Sequence, residues 1–168
     1  MNSQQTYIAL ETIVTKEIRR FTRIWVQTLL PPAITMCLYF VIFGNIVGSR
    51  VGQMGGFDYM QYIAPGLIMM SVITNSYSNV VSSFYGAKFQ RNIEELVVSP
   101  VPHHIILSGF VIGGVVRGLL VGVMVTLLSL FFTHLSIHHL FVVIYSVLVT
   151  STLFALGGFV NAVFAKSF

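Results

Sequence analysis

Long stretches without a charged side chain constrain this sequence more than any other feature. The longest runs from residue 118 to residue 165, 48 residues without an Asp, Glu, Lys or Arg. Two further uncharged runs cover residues 24–49 and 59–87. A helix that crosses a bilayer needs about 20 mostly apolar residues. The longest run therefore predicts the end of one span and the whole of another.

Composition supports the membrane interpretation. The chain of 168 residues is 55% hydrophobic and 8% charged, whereas soluble domains carry about 25% charged residues. No stretch is polar enough to form a separate soluble domain. We predict an all-α integral membrane protein, a single and partial transmembrane domain over residues 1–168. Its four predicted transmembrane helices occupy residues 26–48, 62–84, 105–133 and 140–164.

The distribution of basic residues predicts the orientation. With the N-terminus inside, one side of the membrane receives seven of the nine basic residues: Lys16, Arg19, Arg20, Arg23, Lys88, Arg91 and Lys166. The outer loops receive Arg50 alone. Cytoplasmic loops are enriched in Lys and Arg, so both ends are predicted to be cytoplasmic. This role in orientation also explains the net charge of +4 without a nucleic-acid partner.

The segment before the first span, residues 8–25, is predicted to be an amphipathic helix. Its apolar face contains Leu10, Ile13, Val14, Ile18, Phe21, Ile24 and Trp25, with Glu17 near the edge. The opposite face contains Lys16, Arg19, Arg20 and Arg23. Such a helix suits the membrane interface, with its basic side toward anionic lipid head groups. The alternative is a helix that packs on another domain.

A polar stripe runs along the second predicted span. It consists of Ser71, Asn75, Ser78, Asn79 and Ser82, which share one helical face. Polar groups in a bilayer need partners, so the stripe should face the protein interior. It is interpreted either as part of a translocation path or dimer seam, or as residues that only hydrogen-bond neighbouring helices.

The third predicted span combines a glycine row with a charge. Gly114, Gly118 and Gly122 have the spacing of four that permits close helix packing. Arg117 lies near mid-bilayer, where a charge costs about 3 kcal/mol. It should contact an anionic substrate or a gating partner, or else bond the carbonyl groups of a broken helix. No acidic residue lies within the four spans, so its partner is expected in another chain or in sequence outside these 168 residues.

Catalytic and metal-binding patterns are missing from the sequence. No Ser-His-Asp set, P-loop or pair of intramembrane carboxylates occurs, so the chain is not predicted to be an enzyme or to carry a cofactor. His134, His138 and His139 have no acidic or Cys ligand nearby. They are interpreted as a polar outer loop and not as a metal site. The single cysteine, Cys37, permits no intrachain disulfide.

The connection over residues 85–104 is unusually charged and is predicted to form a cytoplasmic coupling loop. A helix is predicted over about 87–98, ended by Pro100 and Pro102. It carries Arg91, Glu94 and Glu95 beside an apolar side. Acidic residues are poorly placed against an anionic inner leaflet. Docking of a soluble partner is therefore favoured over a loop that lies on lipid.

Four runs of sequence together resemble the permease subunit of ABC transporters of the type-two exporter family. They are "FTRIWVQTLLPP", "YIAPGLIMMSVITNSYSN", "FQRNIEELVVSPV" and "GGVVRG". The resemblance implies a permease dimer in a bacterial inner membrane, with an export path between its halves. It also implies that Arg91, Glu94 and Glu95 couple to a separate cytoplasmic P-loop ATPase subunit.

The chain differs from this family in its number of predicted spans, and two other functions remain as alternatives. Members of this family normally have six spans, so a chain with four is expected to be truncated after the fourth. The rivals are a membrane-embedded enzyme acting on lipid and a membrane assembly protein without transport. The apolar spans do not distinguish between drug, lipid and glycan substrates.

Overall fold

The computed structural model describes residues 3–134 and 139–165, which are almost entirely helical. A tight antiparallel hairpin, β1 and β2, interrupts the helices, and Gly55 and Gly56 supply the positive φ angles of its turn. The elements in order are α1 (Ser3–Arg23), α2 (Trp25–Val41), a π-helical segment (Ile42–Val47), α3 (Gly48–Val51), β1 (Gln53–Met54), β2 (Phe57–Asp58), α4 (Tyr59–Phe89), α5 (Asn92–Val98), α6 (His103–Ser129) and α7 (Leu140–Phe164).

Within the described residues, three helical stretches are long and apolar enough to cross a membrane. They are Trp25–Val51, His103–Ser129 and Leu140–Phe164. The protein is therefore an all-α membrane protein. Helix α4 is longer than any of them but more polar, and it does not belong to this group. The second predicted span, 62–84, thus remains a prediction that rests on the position of α4 inside the bundle.

Helix α4 lies at the centre of the bundle and contacts both α6 and α7. Near its C-terminal end, Phe84 packs against Phe110 of α6 and Phe159 of α7. Near its N-terminal end, Ala64 and Leu67 belong to a second apolar cluster, which also contains Met36, Phe40, Met60, Val121 and Val125. Because the early part of α4 meets the late part of α6, these two helices are antiparallel.

Helices α4 and α7 run in the same direction, and polar contacts join them. Tyr77 of α4 is hydrogen-bonded to Asn161 of α7. At the C-terminal ends, Lys88 Nζ lies 2.9 Å from both Val163 O and Ala165 O. These two carbonyl groups belong to the final turn of α7 and its end, where helical carbonyl groups lack partners within the helix. The lysine therefore caps α7 from α4.

The connection after α4 differs from its prediction. The predicted helix over about 87–98 is wrong at its start, because α4 continues to Phe89 and α5 begins only at Asn92. Arg91 adopts a left-handed conformation with φ 59° between the two helices. A helix cannot continue through such a residue. Helix α5 ends where Ser99 becomes extended before Pro100.

Candidate functional site

The glycines of α6 form two rows that face different helices. A Cβ atom on Gly114 would lie 2.5 Å from Val80 Cγ2, and one on Gly122 would lie 2.6 Å from Val72 Cγ2. A Cβ atom on Gly118 would overlap the Ser76 hydroxyl oxygen. The row predicted from spacing thus lies directly against α4, whose backbone approaches as closely as glycine permits.

The second glycine row faces α1. A Cβ atom on Gly113 would lie 2.6 Å from Glu17 Cβ, and one on Gly109 would collide with the Ile13 side chain. The two contacts follow the same order along α1 and α6. Helix α1 therefore runs parallel to α6 over this turn. Ile13, Glu17 and Phe21 are buried. This part of the apolar side of α1 therefore packs on protein, whereas Tyr7 and Ile8 near its N-terminal end are exposed.

Glu17 is the buried acid of a polar cluster between α1, α4 and α6. The residue is 1% exposed. Ser83 Oγ donates a hydrogen bond of 2.6 Å to Glu17 Oε1, and Arg20 Nη2 lies 3.3 Å from Glu17 Oε2. The same Arg20 nitrogen lies 2.9 Å from Asn79 Oδ1. Both carboxylate oxygens are thus bonded, which a carboxylate inside a bundle requires.

Arg117 joins the cluster from α6. Its Nη1 lies 3.4 Å from Asn79 Oδ1, and its Nη2 lies 3.5 Å from Asn75 Oδ1. Asn75 is held in place because its Nδ2 donates to Ser71 O over 3.0 Å. The side-chain oxygen of Asn79, Oδ1, therefore accepts hydrogen bonds from two arginines on different helices. We call Glu17, Arg20, Asn75, Asn79, Ser83 and Arg117 the polar cluster.

The polar cluster is not fully satisfied. Its two guanidinium groups and one carboxylate leave a net charge of +1. Among the described residues, four buried side-chain atoms in or beside it have no hydrogen-bond partner: Arg20 Nε, Arg117 Nε, Asn79 Nδ2 and Ser76 Oγ. An unpaired polar group in an apolar interior costs about 1–3 kcal/mol. The cluster therefore has spare donors and excess positive charge.

Several expectations for these residues require correction. Arg20 does not face lipid head groups, because its guanidinium group bonds Glu17 and Asn79. Glu17 is not a marginal residue of the apolar face but the buried carboxylate at its centre. The buried polar face of α4 also differs from the predicted stripe. Ser78 and Ser82 are exposed, whereas Ser76 and Ser83 are buried.

Arg117 has neutral partners within the bundle, while the acidic partner expected for it in another chain or in absent sequence stays a prediction. Asn75 and Asn79 accept its hydrogen bonds, and Arg20 links Asn79 to Glu17 on α1. One sequence signal could have revealed this arrangement. Glu17 and Arg20 are three residues apart, so they are neighbours on a helix surface. An acid on an apolar face beside such a partner indicates a buried ion pair.

The residues predicted to couple to an ATPase lie apart from the polar cluster. Arg91, Glu94 and Glu95 are all exposed around α5. Ile93 and Leu96 attach α5 to the apolar core of the bundle. Phe89 is 80% exposed and Val98 is 86% exposed. The acids of α5 thus stand beside uncovered apolar side chains.

The histidine loop is described only in part. His134 and His139 are exposed, and His138 lies outside the described residues. In the described part of the chain, no group of three His, Cys, Asp or Glu side chains is placed to hold a metal ion.

Glu17→Ala is expected to lower the free energy of unfolding by about 1–3 kcal/mol. The change leaves the Ser83 hydroxyl and one bond of Arg20 without their buried acceptor. The thermal unfolding midpoint of detergent-purified protein measures the loss. Glu11→Ala is the matched control, because Glu11 is an exposed acid on the same helix. Equal effects of the two changes would contradict a structural role for Glu17.

Comparison with known proteins agrees with this architecture. A family model described as "ABC-2 type transporter" matches residues 8–168. The inner membrane transport permease YadH of Escherichia coli (strain K12) is 62% identical over 162 residues. That alignment covers 96% of this chain and 63% of the relative.

The protein of the same name from Shigella flexneri matches equally well, with the same identity and coverage. This chain thus spans about 63% of the length of these relatives. No solved structure matches it. The family match covers almost the whole chain, including every residue of the polar cluster and of α5. The chain therefore belongs to the ABC-2 type transporter family.

Proposed function

We propose that the chain is the membrane-spanning permease subunit of a transporter driven by ATP. A separate cytoplasmic P-loop ATPase subunit hydrolyses the ATP, and the chain itself catalyses no reaction. Membership of the ABC-2 type transporter family supports this role, as does the likeness to proteins named inner membrane transport permease. The proposed direction is export across a bacterial inner membrane, with the N-terminus in the cytoplasm.

The observation that carries the proposal is the exposure of α5. Two adjacent acids, Glu94 and Glu95, lie in the first turn of this short helix. The uncovered Phe89 and Val98 side chains flank them at either end. Apolar anchors beside charged groups are typical of a surface that binds another protein. Because Ile93 and Leu96 fix α5 to the bundle, a partner bound there is linked directly to the membrane helices.

Other parts of the proposal concern the path and the assembly. Ser71, Asn75, Asn79 and Arg117 form a continuous polar line between α4 and α6, and we assign them to the translocation path. A second copy of the permease completes the transporter as a homodimer. Lys16, Arg19 and Arg23 remain exposed on α1, where they suit contact with anionic membrane lipid.

Affinity purification from membranes tests the proposal. The protein is expressed beside its genomic neighbours, extracted gently and analysed by mass spectrometry. A P-loop ATPase is expected to co-purify, and to be lost when Asn92–Val98 is replaced by a Gly/Ser linker of equal length. The matched control replaces the exposed hairpin residues 53–58 in the same way. Absence of an ATPase from the wild-type sample would contradict the proposal.

The remaining alternative is a membrane assembly protein without transport. ATP-dependent flux in vesicles distinguishes it from a permease, because only a permease moves a substrate. Retention of the ATPase after replacement of α5 would show that this helix is not the docking element. Such a result would leave the family membership intact but remove the observation on which the coupling argument depends.

A further inference from the structure

The polar cluster contains more positive charge than this chain balances. Arg20 and Arg117 both donate to Asn79 Oδ1, and Glu17 supplies a single negative charge. Arg20 Nε, Arg117 Nε and Asn79 Nδ2 remain without acceptors in the described part of the protein. Asn79 is fully buried, so bulk water does not satisfy its amide. Within the described residues, the cluster thus combines unused hydrogen-bond donors with one more positive than negative charge.

The other acids of the chain do not supply this acceptor. The chain has five acidic residues, and all of them lie in the described ranges. Apart from Glu17, each is exposed: Glu11, Asp58, Glu94 and Glu95. The described residues contain one ion pair, between Arg20 and Glu17. A group that balances this charge would therefore come from outside the part of the protein that the structure describes.

A group from outside can reach the cluster. The Arg20 side chain is 32% exposed, and Arg117 is only partly buried. Arg117 nevertheless lies about halfway along α6, a stretch apolar enough to span a membrane. A small soluble anion would lose its hydration there, which is costly. An amphiphile presents an anionic head group while its apolar tail stays among apolar side chains.

We propose that the polar cluster binds the phosphate group of an anionic amphiphile. Arg20 and Arg117 contact the phosphate, because guanidinium groups match its oxygen atoms in charge and geometry. Asn79 is a positioning residue, because its side-chain oxygen Oδ1 accepts hydrogen bonds from both arginines. The inference rests on the proposed function, to which it adds a substrate class: amphiphiles with an anionic head group.

Thermal unfolding of the purified protein in a neutral maltoside detergent tests the inference. Three probes are added separately: dodecyl phosphate, dodecyltrimethylammonium and inorganic phosphate. Dodecyl phosphate is expected to raise the unfolding midpoint, and the cation of equal tail length is not. Arg117→Gln should weaken the apparent affinity for dodecyl phosphate roughly tenfold, the effect of losing a charged hydrogen bond. Arg50→Gln, which changes an exposed arginine on α3, should leave it unchanged.

Glu17→Gln separates charge from structural damage. It removes the only carboxylate of the cluster, so the affinity for dodecyl phosphate is expected to rise although the unliganded protein is less stable. Damage alone would lower the affinity in every variant. If Arg117→Gln does not fold, Arg20→Gln and Glu17→Gln provide the same pair of opposite shifts.

The outcomes decide both the site and the source of its ligand. Equal protection by inorganic phosphate, dependent on Arg117, would support the phosphate site but assign it to a soluble anion. Equal protection by the cationic amphiphile would overturn the inference. So would an unchanged affinity in Arg117→Gln. A protein that co-purifies with its ATPase but shows no arginine-dependent phosphate binding would retain the proposed function and lose this inference.

Discussion

Gly118→Leu is expected to prevent the bundle from folding. The first added carbon would overlap the Ser76 hydroxyl oxygen and lie 3.1 Å from Val72 O. The carbonyl group belongs to the backbone of α4 and cannot rotate aside, so α4 and α6 would have to separate. Overpacking a tight contact costs about 1–3 kcal/mol per site, and a leucine adds several carbons. We expect little monodisperse protein on size-exclusion chromatography in detergent.

Gly157→Leu provides the control for this prediction. Gly157 lies on α7, another helix that is apolar enough to span a membrane, and a Cβ atom there would meet nothing within 4 Å. The substitution is the same and the helical environment is comparable, so the yield should stay close to that of the wild type. A similar loss in both variants would show that leucine is harmful for reasons unrelated to the contact between α4 and α6.

Changing Glu94 and Glu95 together to Lys is expected to abolish ATP-dependent transport while the protein still inserts and folds. Both side chains are exposed in the first turn of α5, so their replacement disturbs no buried contact. Reversal of two charges at a docking surface opposes binding of a partner selected for the original charges. We expect a loss of vesicle flux of roughly tenfold or more, with unchanged membrane levels.

Asp58→Lys is the matched charge reversal for α5. Asp58 is also exposed, but it precedes α4 at the other end of that helix. Reversal of its charge should therefore leave ATP-dependent flux unchanged. Normal transport by the double Lys variant of α5 would contradict the coupling role of this helix. Equal losses from both reversals would indicate a general effect of net charge.

The apolar helices were predictable because the bilayer imposes a simple rule on sequence. A segment without charges that is long enough to cross must form a helix, since its backbone groups have no other partners. Trp25–Val51 and Leu140–Phe164 lie largely within uncharged runs, whereas His103–Ser129 also contains Arg117. Helix α4 also falls in an uncharged run, but its serines and asparagines make it more polar, so its crossing of the membrane stays a prediction.

The polar cluster was only partly predictable. The stripe containing Asn75 and Asn79, and the buried charge of Arg117, could be read from helical spacing within single spans. The contribution of α1 could not, because it depends on a contact between residues 13–17 and the second glycine row of α6. Amphipathicity shows that a helix has an apolar face but does not show whether lipid or protein covers that face. Glu17 and Arg20 were misplaced for this reason.

The contacts of Lys88 affect how movement can pass from α5 to the helices of the bundle. Its amine bonds two carbonyl groups at the end of α7, and the left-handed Arg91 redirects the chain into α5 just beyond it. A displacement applied at α5 therefore enters α4 and α7 at a single joint. Because these two helices are parallel and joined at this end, they would move together. In the proposed coupling role, movement of α5 would thus reach the interior of the bundle through both helices, although the chain connects only α4 to α5.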